Sequence, residues 1–310
     1  MTSSRLATID IGTNSVLLLI AQIAKDGSIT VLEEQAEITQ LGEGFATDPT
    51  IRPAVFERNL TVLKKFAERC RVHAVNTIKV VATEGMRRAR NSKEFIAAVK
   101  TQTGFEIEII SGEREAELTY KAAAHDFGAD ITVMDIGGGS TEFIAKNFST
   151  SIPMGSVILT EQFLQSDPPT ESEYKKLVDY IETNLKKNLT IELLHHRTIA
   201  QFVATAGTAT TVAAMHLKLA TYDQAKVHGT SISRQNIESI LDQIKSMPLA
   251  ERITLPGLHP KRAPFIIAGT TLLLKAMEFL GFDTVTVSDR GLRWGMLYSI
   301  IGYVVVGVKC

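Results

Sequence analysis

The chain has 310 residues, which is near the length at which one hydrophobic core usually divides, so two domains are expected. Hydrophobic residues make up 45% and charged residues 22% of the sequence, a composition typical of a folded protein rather than a disordered one. The 33 Lys and Arg residues nearly balance the 34 Asp and Glu residues, and the net charge of -1 excludes a bulk attraction to DNA or another polyanion. Any anion must therefore be bound by local features.

The cysteines and the chain ends indicate a reduced protein without a membrane partner. Cys70 and Cys310 lie far apart and show no metal-type spacing, which disfavours a zinc site or a disulfide framework. The N-terminal residues lack the basic and apolar regions of a secretory signal, so we expect a cytoplasmic protein. The apolar run 298–308 is far shorter than the ~20 residues that cross a bilayer, and we expect a buried terminal element there.

The first half of the chain is predicted to fold as β-β-β-α-β-α-β-α. Segments rich in Ile, Val, Leu and Thr with Gly-containing breaks predict strands, and apolar residues at helical spacing after Pro53 predict the first helix. The strands are predicted at 5–11, 15–23, 28–38, 78–82 and 105–110, and the helices at 53–72, 92–100 and 113–125.

The same pattern begins again at Ile131. Strands are predicted at 131–136, 142–145, 149–153, 202–205 and 284–287, with helices at 157–164 and 171–189, near residues 209, 234 and 262, and from residue 291. The segments DIGTNS at 10–15 and DIGGGS at 135–140 occupy equivalent places, which indicates a duplication. We predict domains at 1–127 and 128–310, with the last helix able to pack back on the first domain.

The two Asp-Ile-Gly segments indicate phosphate binding. A tight turn of Gly and small hydroxyl residues between two strands exposes N–H groups that can hold phosphate oxygens. One such turn is more commonly an ordinary hairpin, but two copies favour phosphate binding. The strand-end carboxylates Asp10 and Asp135 would offer hard oxygen ligands to Mg²⁺ beside the phosphate, and turn capping is the alternative role for each.

Other nucleotide-binding patterns are missing from the sequence. It contains neither G-x-x-x-x-G-K-[ST] nor a dinucleotide G-x-G-x-x-G fingerprint. Two phosphate loops in duplicated β-β-β halves instead resemble the actin, hexokinase and Hsp70 ATPase superfamily. The resemblance implies an α/β fold of two duplicated actin-like (ribonuclease H-like) domains facing a central cleft.

Within that superfamily the sequence resembles the exopolyphosphatase and guanosine pentaphosphate phosphohydrolase (Ppx/GppA) family along nearly its whole length. The motifs that carry the resemblance are DIGTNS at 10–15, LGEG at 41–44, ATEGMR at 82–87, ISGEREA at 110–116, DIGGGSTE at 135–142, KVHG at 226–229 and SDRGLR at 288–293. The resemblance implies a Mg²⁺-dependent enzyme that releases terminal orthophosphate from polyphosphate. Hydrolysis of the 5′-terminal phosphate of guanosine pentaphosphate (pppGpp) is the alternative.

The resemblance also implies the roles of individual residues. Glu115 is the expected general base, although the local sequence favours a different interpretation, in which Glu113 and Glu115 complement a helix N-terminus after Ser111. The expected metal ligands are Asp10, Asp135 and Glu142. The expected phosphate ligands are Gly12, Thr13, Asn14, Ser15, Arg87, Gly137, Gly138, Gly139, Ser140, Thr141, Gly207 and Thr208.

Some residues depart from the family pattern or leave alternatives open. Leu17 stands where many members carry a basic or polar residue, Ala206 replaces a Gly, and Trp294 occupies a place that is often acidic. The dipeptide His125-Asp126 resembles the HD phosphohydrolase pair, but we interpret it as incidental because no other spaced metal ligands accompany it.

Two functions of other classes also remain open. These are an actin-fold kinase acting on a small acceptor and a non-catalytic regulator that binds ATP or polyphosphate. The apolar final segment 302–308 is expected to pack between domains or between chains, and in the second case the protein would be a homodimer.

Overall fold

The computed structural model describes residues 4–146, 148–189 and 201–303. The chain divides into two units: the first contains the described residues through Ala122 and those from Leu292 onward, and the second contains Ala123–Gly291. The domain limits at 1–127 and 128–310 stay a prediction. None of the helices in the described ranges is long and apolar enough to cross a membrane.

The first unit is built on one mixed sheet. Its strands are β1 Ser4–Ile11, β2 Ser15–Ile23, β3 Ile29–Ile38, β4 Thr77–Ala82 and β5 Ile107–Ile109. Their order in the sheet is β3-β2-β1-β4-β5, with β1 antiparallel to β2 and parallel to β4. The run from Leu6 to Ile9 is buried at every position, as expected of a central strand covered on both faces.

Four helices follow these strands along the chain. They are α1 Pro53–Val72, α2 Glu84–Arg88, α3 Ser92–Thr103 and α4 Gly112–Phe127. In α1 the buried residues Leu60, Leu63 and Phe66 recur at helical spacing and pack the helix on the unit's core. The division between the units falls inside α4, so the last turn of this helix belongs to the second unit.

The second unit contains the second sheet. Its strands are β6 Ile131–Ile136, β7 Thr141–Ala145, β8 Phe148–Ile152, β9 Gln201–Thr205, β10 Ser231–Ser233 and β11 Thr284–Val287, in the order β10-β11-β9-β6-β7-β8. Its helices are α5 Ser156–Phe163, α6 Glu171–Asn188, α7 Ala206–His216, α8 Gln224–Val227, α9 Arg234–Lys245, α10 Leu249–Arg252 and α11 Ile266–Leu280. Helix α11 is buried around most of its circumference, which is typical of a helix enclosed by other elements.

The two sheets repeat the same topology. The order β3-β2-β1-β4-β5 in the first unit corresponds to β8-β7-β6-β9-β11 in the second, and β10 is added at the far edge. In both units the first strand is antiparallel to the second and parallel to the fourth. The prediction of an α/β fold from two duplicated halves is confirmed.

The last helix, α12 Leu292–Ile300, belongs to the first unit. Gly295 lies so close to α4 that a Cβ atom there would be 1.8 Å from the carbonyl oxygen of Leu118. No side chain fits in that space, so the contact fixes the depth at which the two helices pack.

Trp294 is a core residue of the first unit rather than a surface residue. Its side chain is buried, and the indole N–H donates to Glu34 at 3.0 Å. Arg293, also buried, donates to the other oxygen of Glu34 at 2.8 Å. Glu34 therefore holds the start of α12 through two neighbouring side chains.

The elements that the sequence did not predict are short. They are α2, α8, β10 and α10, which contain three to five residues each and offer too few positions to show a periodicity. The helix expected near residue 262 begins at Ile266, and the strand expected at 105–110 is reduced to Ile107–Ile109. Most of the apolar segment 302–308 lies outside the described residues.

Candidate active site

The two Asp-Ile-Gly segments form hairpin turns of the same geometry. In the first unit the N–H of Gly12 donates to the carbonyl of Ser15 at 2.9 Å, and in the second the N–H of Gly137 donates to that of Ser140 at 3.0 Å. A Cβ atom would lie 3.2 Å from the Ser15 oxygen at Gly12 and 3.0 Å from the Ser140 oxygen at Gly137. The glycine is therefore favoured at the same point of both turns.

In the first unit the carbonyl groups of the hairpin are bound by the segment after β3. Two successive N–H groups, of Thr39 and Gln40, donate to the Asn14 carbonyl at 3.0 and 2.9 Å. The N–H of Gly42 donates to the Thr13 carbonyl at 2.8 Å. The hairpin is thus held from its carbonyl side.

The second unit holds its hairpin in the same way, with the N-terminus of α5. The N–H of Ser156 donates to the Gly137 carbonyl at 3.0 Å, and those of Val157 and Ile158 donate to the Gly138 carbonyl at 3.0 and 3.2 Å. This contact needs Gly155, where a Cβ atom would be 2.4 Å from the carbonyl carbon and oxygen of Gly138.

The central N–H groups of both hairpins do not take part in the closing hydrogen bonds. Within the described ranges, those of Thr13, Asn14, Gly138 and Gly139 donate to no acceptor in the protein. Successive N–H groups on one side of a glycine turn form a concave anion-binding nest.

Side chains in the two hairpins contribute less than the backbone. Thr13 is buried against Gly42 and Gly85, and Thr141 donates its hydroxyl to the Met154 carbonyl at 2.7 Å. Ser140 is also buried. The structure places these three residues at the turns, and the side chains of Thr13 and Thr141 contact other parts of the protein.

The expected metal ligands divide unequally between the units. Asp135 and Glu142 are direct cross-strand partners in β6 and β7, and both are buried. Directly paired residues lie about 5 Å apart at their Cβ atoms, and two like charges there are unfavourable without a cation. Asp10 in the first unit is paired with Leu17 instead.

These carboxylates fit the chemistry of Mg²⁺. The ion prefers hard oxygen ligands and often uses one or two carboxylates together with phosphate oxygens and water. Glu142 also accepts a hydrogen bond from the Ser151 hydroxyl at 2.6 Å, which orients its carboxylate. Among the residues described, no group of three or more His, Cys, Asp or Glu side chains is placed to hold a metal.

The two acidic residues at the start of α4, Glu113 and Glu115, differ in how far they are buried. Ser111 caps the helix through the N–H of Arg114 at 3.2 Å, and the exposed Glu113 has its pKa lowered by a hydrogen bond from the Ser111 side chain. Glu115 is buried, with 8% of its surface exposed. Ser111 therefore caps the helix and Glu113 binds the Ser111 side chain, whereas Glu115 is buried in the protein.

Glu115 is paired with Arg87. The Nη1 atom of Arg87 donates to Oε2 of Glu115 at 3.0 Å and to the carbonyl of Ile110 at 2.8 Å. Burial alone would lower the pKa of Arg87, but the charges of Glu115 and Glu84 outweigh it and the pKa is raised. Arg87 is therefore a permanent cation beside the expected base.

The third expected turn begins α7. Ala206 has a φ of 67°, in the left-handed region that favours glycine, and it is the residue that we expect to replace a Gly. The carbonyl of Gly207 accepts from Nη1 of Arg262 at 2.7 Å. Thr208 is buried. Its hydroxyl packs closely against Gly269 of α11, where a Cβ atom would lie 2.5 Å from the hydroxyl oxygen.

The sequence did not predict that Asp126, Arg290 and His228 of the second unit would lie together. Asp126, in the last turn of α4, accepts from Arg290 at 2.7 Å, and Nε2 of His228 lies 3.5 Å from its other oxygen. Burial lowers the pKa of His228, although the charge of Asp126 opposes the change. The interpretation that His125-Asp126 is not an HD-type metal pair stays a prediction, but Asp126 links two motifs that are far apart in the chain.

Arg262 and Glu84 were also missed. Arg262 hydrogen-bonds to Gly207 across 55 residues of chain, and a contact at that separation has no local pattern in the sequence. Glu84 lies three residues before Arg87 in α2, and this i,i+3 spacing of opposite charges was a readable signal.

Comparison with known proteins places the chain in a family. Exopolyphosphatase 2 of Mycobacterium tuberculosis is 31% identical, over 97% of this chain and 100% of that protein. The bifunctional 3-dehydroquinate synthase/phosphatase of Fusobacterium nucleatum is 32% identical over 98% of this chain, which spans 46% of that protein's length. Guanosine-5′-triphosphate,3′-diphosphate pyrophosphatase of Vibrio atlanticus is 28% identical over 95% of this chain and 59% of its own length.

The solved structures agree with the sequence relatives. The Ppx/GppA family member of Aquifex aeolicus is 36% identical, with a TM-score of 0.80 over 96% of this chain and 98% of that one. Residues 19–304 match the Ppx/GppA phosphatase family. The chain belongs to the Ppx/GppA phosphatase family.

Proposed function

We propose that this protein is an exopolyphosphatase that hydrolyses the terminal phosphoanhydride bond of inorganic polyphosphate and releases orthophosphate. The observation that carries the proposal is the duplicated hairpin, which offers N–H groups of Thr13, Asn14, Gly138 and Gly139 that donate to no acceptor within the described part of the chain. The exopolyphosphatase relative that aligns over its full length supports the same substrate.

Glu115 is the proposed general base. Its carboxylate would accept a proton from a water molecule while the water oxygen attacks the terminal phosphorus. The bond between that phosphorus and the bridging oxygen breaks, and the products are orthophosphate and a polyphosphate shorter by one unit. A positioned base of this kind contributes on the order of 10²- to 10⁴-fold to the rate.

The hairpins and Arg87 are proposed to bind the phosphate oxygens. Preorganised N–H groups stabilise the charge on the equatorial oxygens of the transferred group without having to reorient. Arg87 adds a fixed positive charge, and its planar guanidinium suits phosphate geometry. Gly207 and Thr208 are proposed to contribute N–H groups at the start of α7.

Asp135 and Glu142 are proposed to hold Mg²⁺ at the second hairpin, and Asp10 is the proposed metal ligand of the first hairpin. The bound ion would neutralise charge on the phosphate oxygens. The side chains of this chain orient the substrate and supply the base. The cross-strand placement of Asp135 and Glu142 supports the assignment, because a cation would relieve the repulsion between these buried carboxylates.

Hydrolysis of guanosine pentaphosphate is the second candidate. Guanosine pentaphosphate would present a terminal phosphoanhydride to the same groups. The relative from Vibrio atlanticus that supports this candidate is a guanosine-5′-triphosphate,3′-diphosphate pyrophosphatase. No feature of the described hairpins distinguishes the two substrates, since both bind through terminal phosphate oxygens.

A phosphate-release assay with purified protein and Mg²⁺ tests the proposal. Polyphosphate and guanosine pentaphosphate are compared at equal concentrations of terminal phosphate, without an acceptor, so that a kinase would release little. We expect faster release from polyphosphate and a loss of 10²- to 10⁴-fold in kcat for Glu115→Gln. Glu113→Gln is the matched control and should stay close to the wild type, because Glu113 is exposed and its hydrogen bond is with the Ser111 side chain, while its charge interaction with Arg87 is a minor one.

Three results would contradict the proposal. Inactivity on both substrates would exclude a phosphohydrolase, and faster release from guanosine pentaphosphate would favour the second candidate. Full turnover in Glu115→Gln would exclude Glu115 as the base.

A further inference from the structure

The half-buried Glu84 and Arg87 form a triad with the buried Glu115. The Oε2 atom of Glu84 accepts from Nε of Arg87 at 2.9 Å and lies 2.9 Å from Nη2, and Arg87 donates from Nη1 to Glu115 at 3.0 Å. The three side chains are 15%, 20% and 11% exposed, in the order Glu84, Arg87, Glu115. One guanidinium is therefore shared by two carboxylates, and the triad carries a net charge of -1.

The geometry assigns the two sides of the guanidinium to different tasks. Glu84 takes the Nε and Nη2 side, three residues earlier on the short helix α2, while Nη1 points to Glu115 and to the Ile110 carbonyl just before α4. A bound guanidinium cannot rotate without losing these contacts. Glu84 therefore determines which corner of Arg87 faces Glu115.

The charge of Glu84 also affects the basicity of Glu115. An arginine paired with a single carboxylate stabilises its ionised form and makes it a poor proton acceptor. A second carboxylate on the same guanidinium weakens that effect, and its own negative charge favours proton uptake by Glu115. A general base works best when its proton affinity suits the working pH.

We propose that Glu84 is a positioning residue of the phosphohydrolase reaction, which orients Arg87 and keeps Glu115 basic enough to accept a proton from water. The proposal rests on the proposed function of Glu115. Glu84 acts through Arg87 and touches neither the water nor the phosphate.

The test is the pH dependence of kcat in Glu84→Gln. The substitution preserves the shape of the side chain and removes its charge, so Arg87 pairs more strongly with Glu115. We expect kcat at neutral pH to fall about tenfold, and the acid limb of the profile to move to lower pH, because Glu115 then releases its proton more readily. Glu84→Asp keeps the charge and should restore the position of the acid limb, even where the shorter side chain lowers kcat.

Two further variants separate this proposal from folding effects and from the function of Glu115. Glu34→Gln removes the charge from another buried arginine pair of the first unit, with Arg293, and should lower the unfolding temperature without moving the acid limb. In the double variant with Glu115→Gln, Glu84→Gln should cause no further loss of kcat.

The outcomes are distinguishable. An unmoved acid limb in Glu84→Gln, with turnover still lost in Glu115→Gln, would overturn the role of Glu84 alone. Full turnover in Glu115→Gln would overturn the proposed function, and an additive loss in the double variant would show that Glu84 acts independently of Glu115.

Discussion

The two hairpins share one backbone geometry but differ in what surrounds it. Both are closed by a hydrogen bond of about the same length and held from their carbonyl side by the segment after the third strand. In the first unit the strand-end carboxylate of Asp10 is opposite the apolar Leu17, whereas in the second unit Asp135 is opposite Glu142. The two halves share the backbone of the hairpin, and their side chains differ, so that of the two hairpins only the second has two opposed carboxylates.

The packing of the hairpins differs in the same way. The second hairpin is covered by the backbone of Gly155 at the start of α5, while the first is approached by Gly42 through the methyl group of Thr13. Backbone contacts cannot adjust as a side-chain methyl group can. The second hairpin should therefore tolerate substitution less well than the first.

The largest effect is expected for Gly155→Ala. The new Cβ atom would be 2.4 Å from the Gly138 carbonyl and 2.5 Å from the Gly139 nitrogen, so the hairpin must move. A displacement of about 1 Å at a reacting site can cost on the order of 10²-fold in rate, and we expect a loss of that size in kcat/KM on polyphosphate. Gly42→Ala is the control and should lose less than about tenfold, because the Thr13 methyl group can rotate away. Equal losses would contradict the difference in packing.

The next effect concerns metal affinity. Asp135→Asn should weaken the binding of Mn²⁺, used as a spectroscopic substitute for Mg²⁺, by about tenfold or more, because one of two opposed buried carboxylates is neutralised. Asp10→Asn should weaken it less, since its cross-strand partner is Leu17. Electron paramagnetic resonance titration measures binding without turnover. A larger effect of Asp10→Asn would place the metal at the first hairpin.

A smaller effect should come from the start of α7, where the second unit departs from the family pattern. Ala206 has a φ of 67°, and an L-residue with a side chain pays roughly 1 kcal/mol for this conformation. Ala206→Gly should therefore raise the free energy of unfolding by about that amount in a urea titration. Ala209→Gly, in the interior of the same helix, should lower it by about 1 kcal/mol. Destabilisation by Ala206→Gly would show that the side chain contributes more packing than strain.

The last prediction concerns the pH dependence of stability in the first unit. Arg69 holds the pKa of Glu33 down to about 2 from an ordinary value of 4.5, so the ionised form is stabilised in the folded state. This stabilisation is complete above about pH 4.5 and is lost as the pH falls towards 2. Unfolding titrations of wild type and Glu33→Gln should therefore differ at pH 7 and converge near pH 2. An equal difference at both values would mean that the loss comes from packing.

Local sequence patterns predicted more of the fold than of the candidate site. The strands at 15–23, 131–136 and 284–287 and the helix at 53–72 have the predicted limits, because strand and helix periodicity and turn residues act over a few neighbours. The repeated topology was also predictable, since the same motif begins each half. The elements α2, α8, β10 and α10 were missed, since helices of at most five residues and a strand of three residues are too short to show a period.

For the candidate site, the sequence by itself determined the hairpins, because the glycines and the closing hydrogen bonds follow from turn chemistry within four residues. Only the tertiary structure decided which carboxylate is buried, because Glu113 and Glu115 are equivalent in local pattern and differ in what packs against them. The pairing of Arg87 with Glu115 spans 28 residues of chain, and burial and charge pairing at that separation depend on how strands and helices pack.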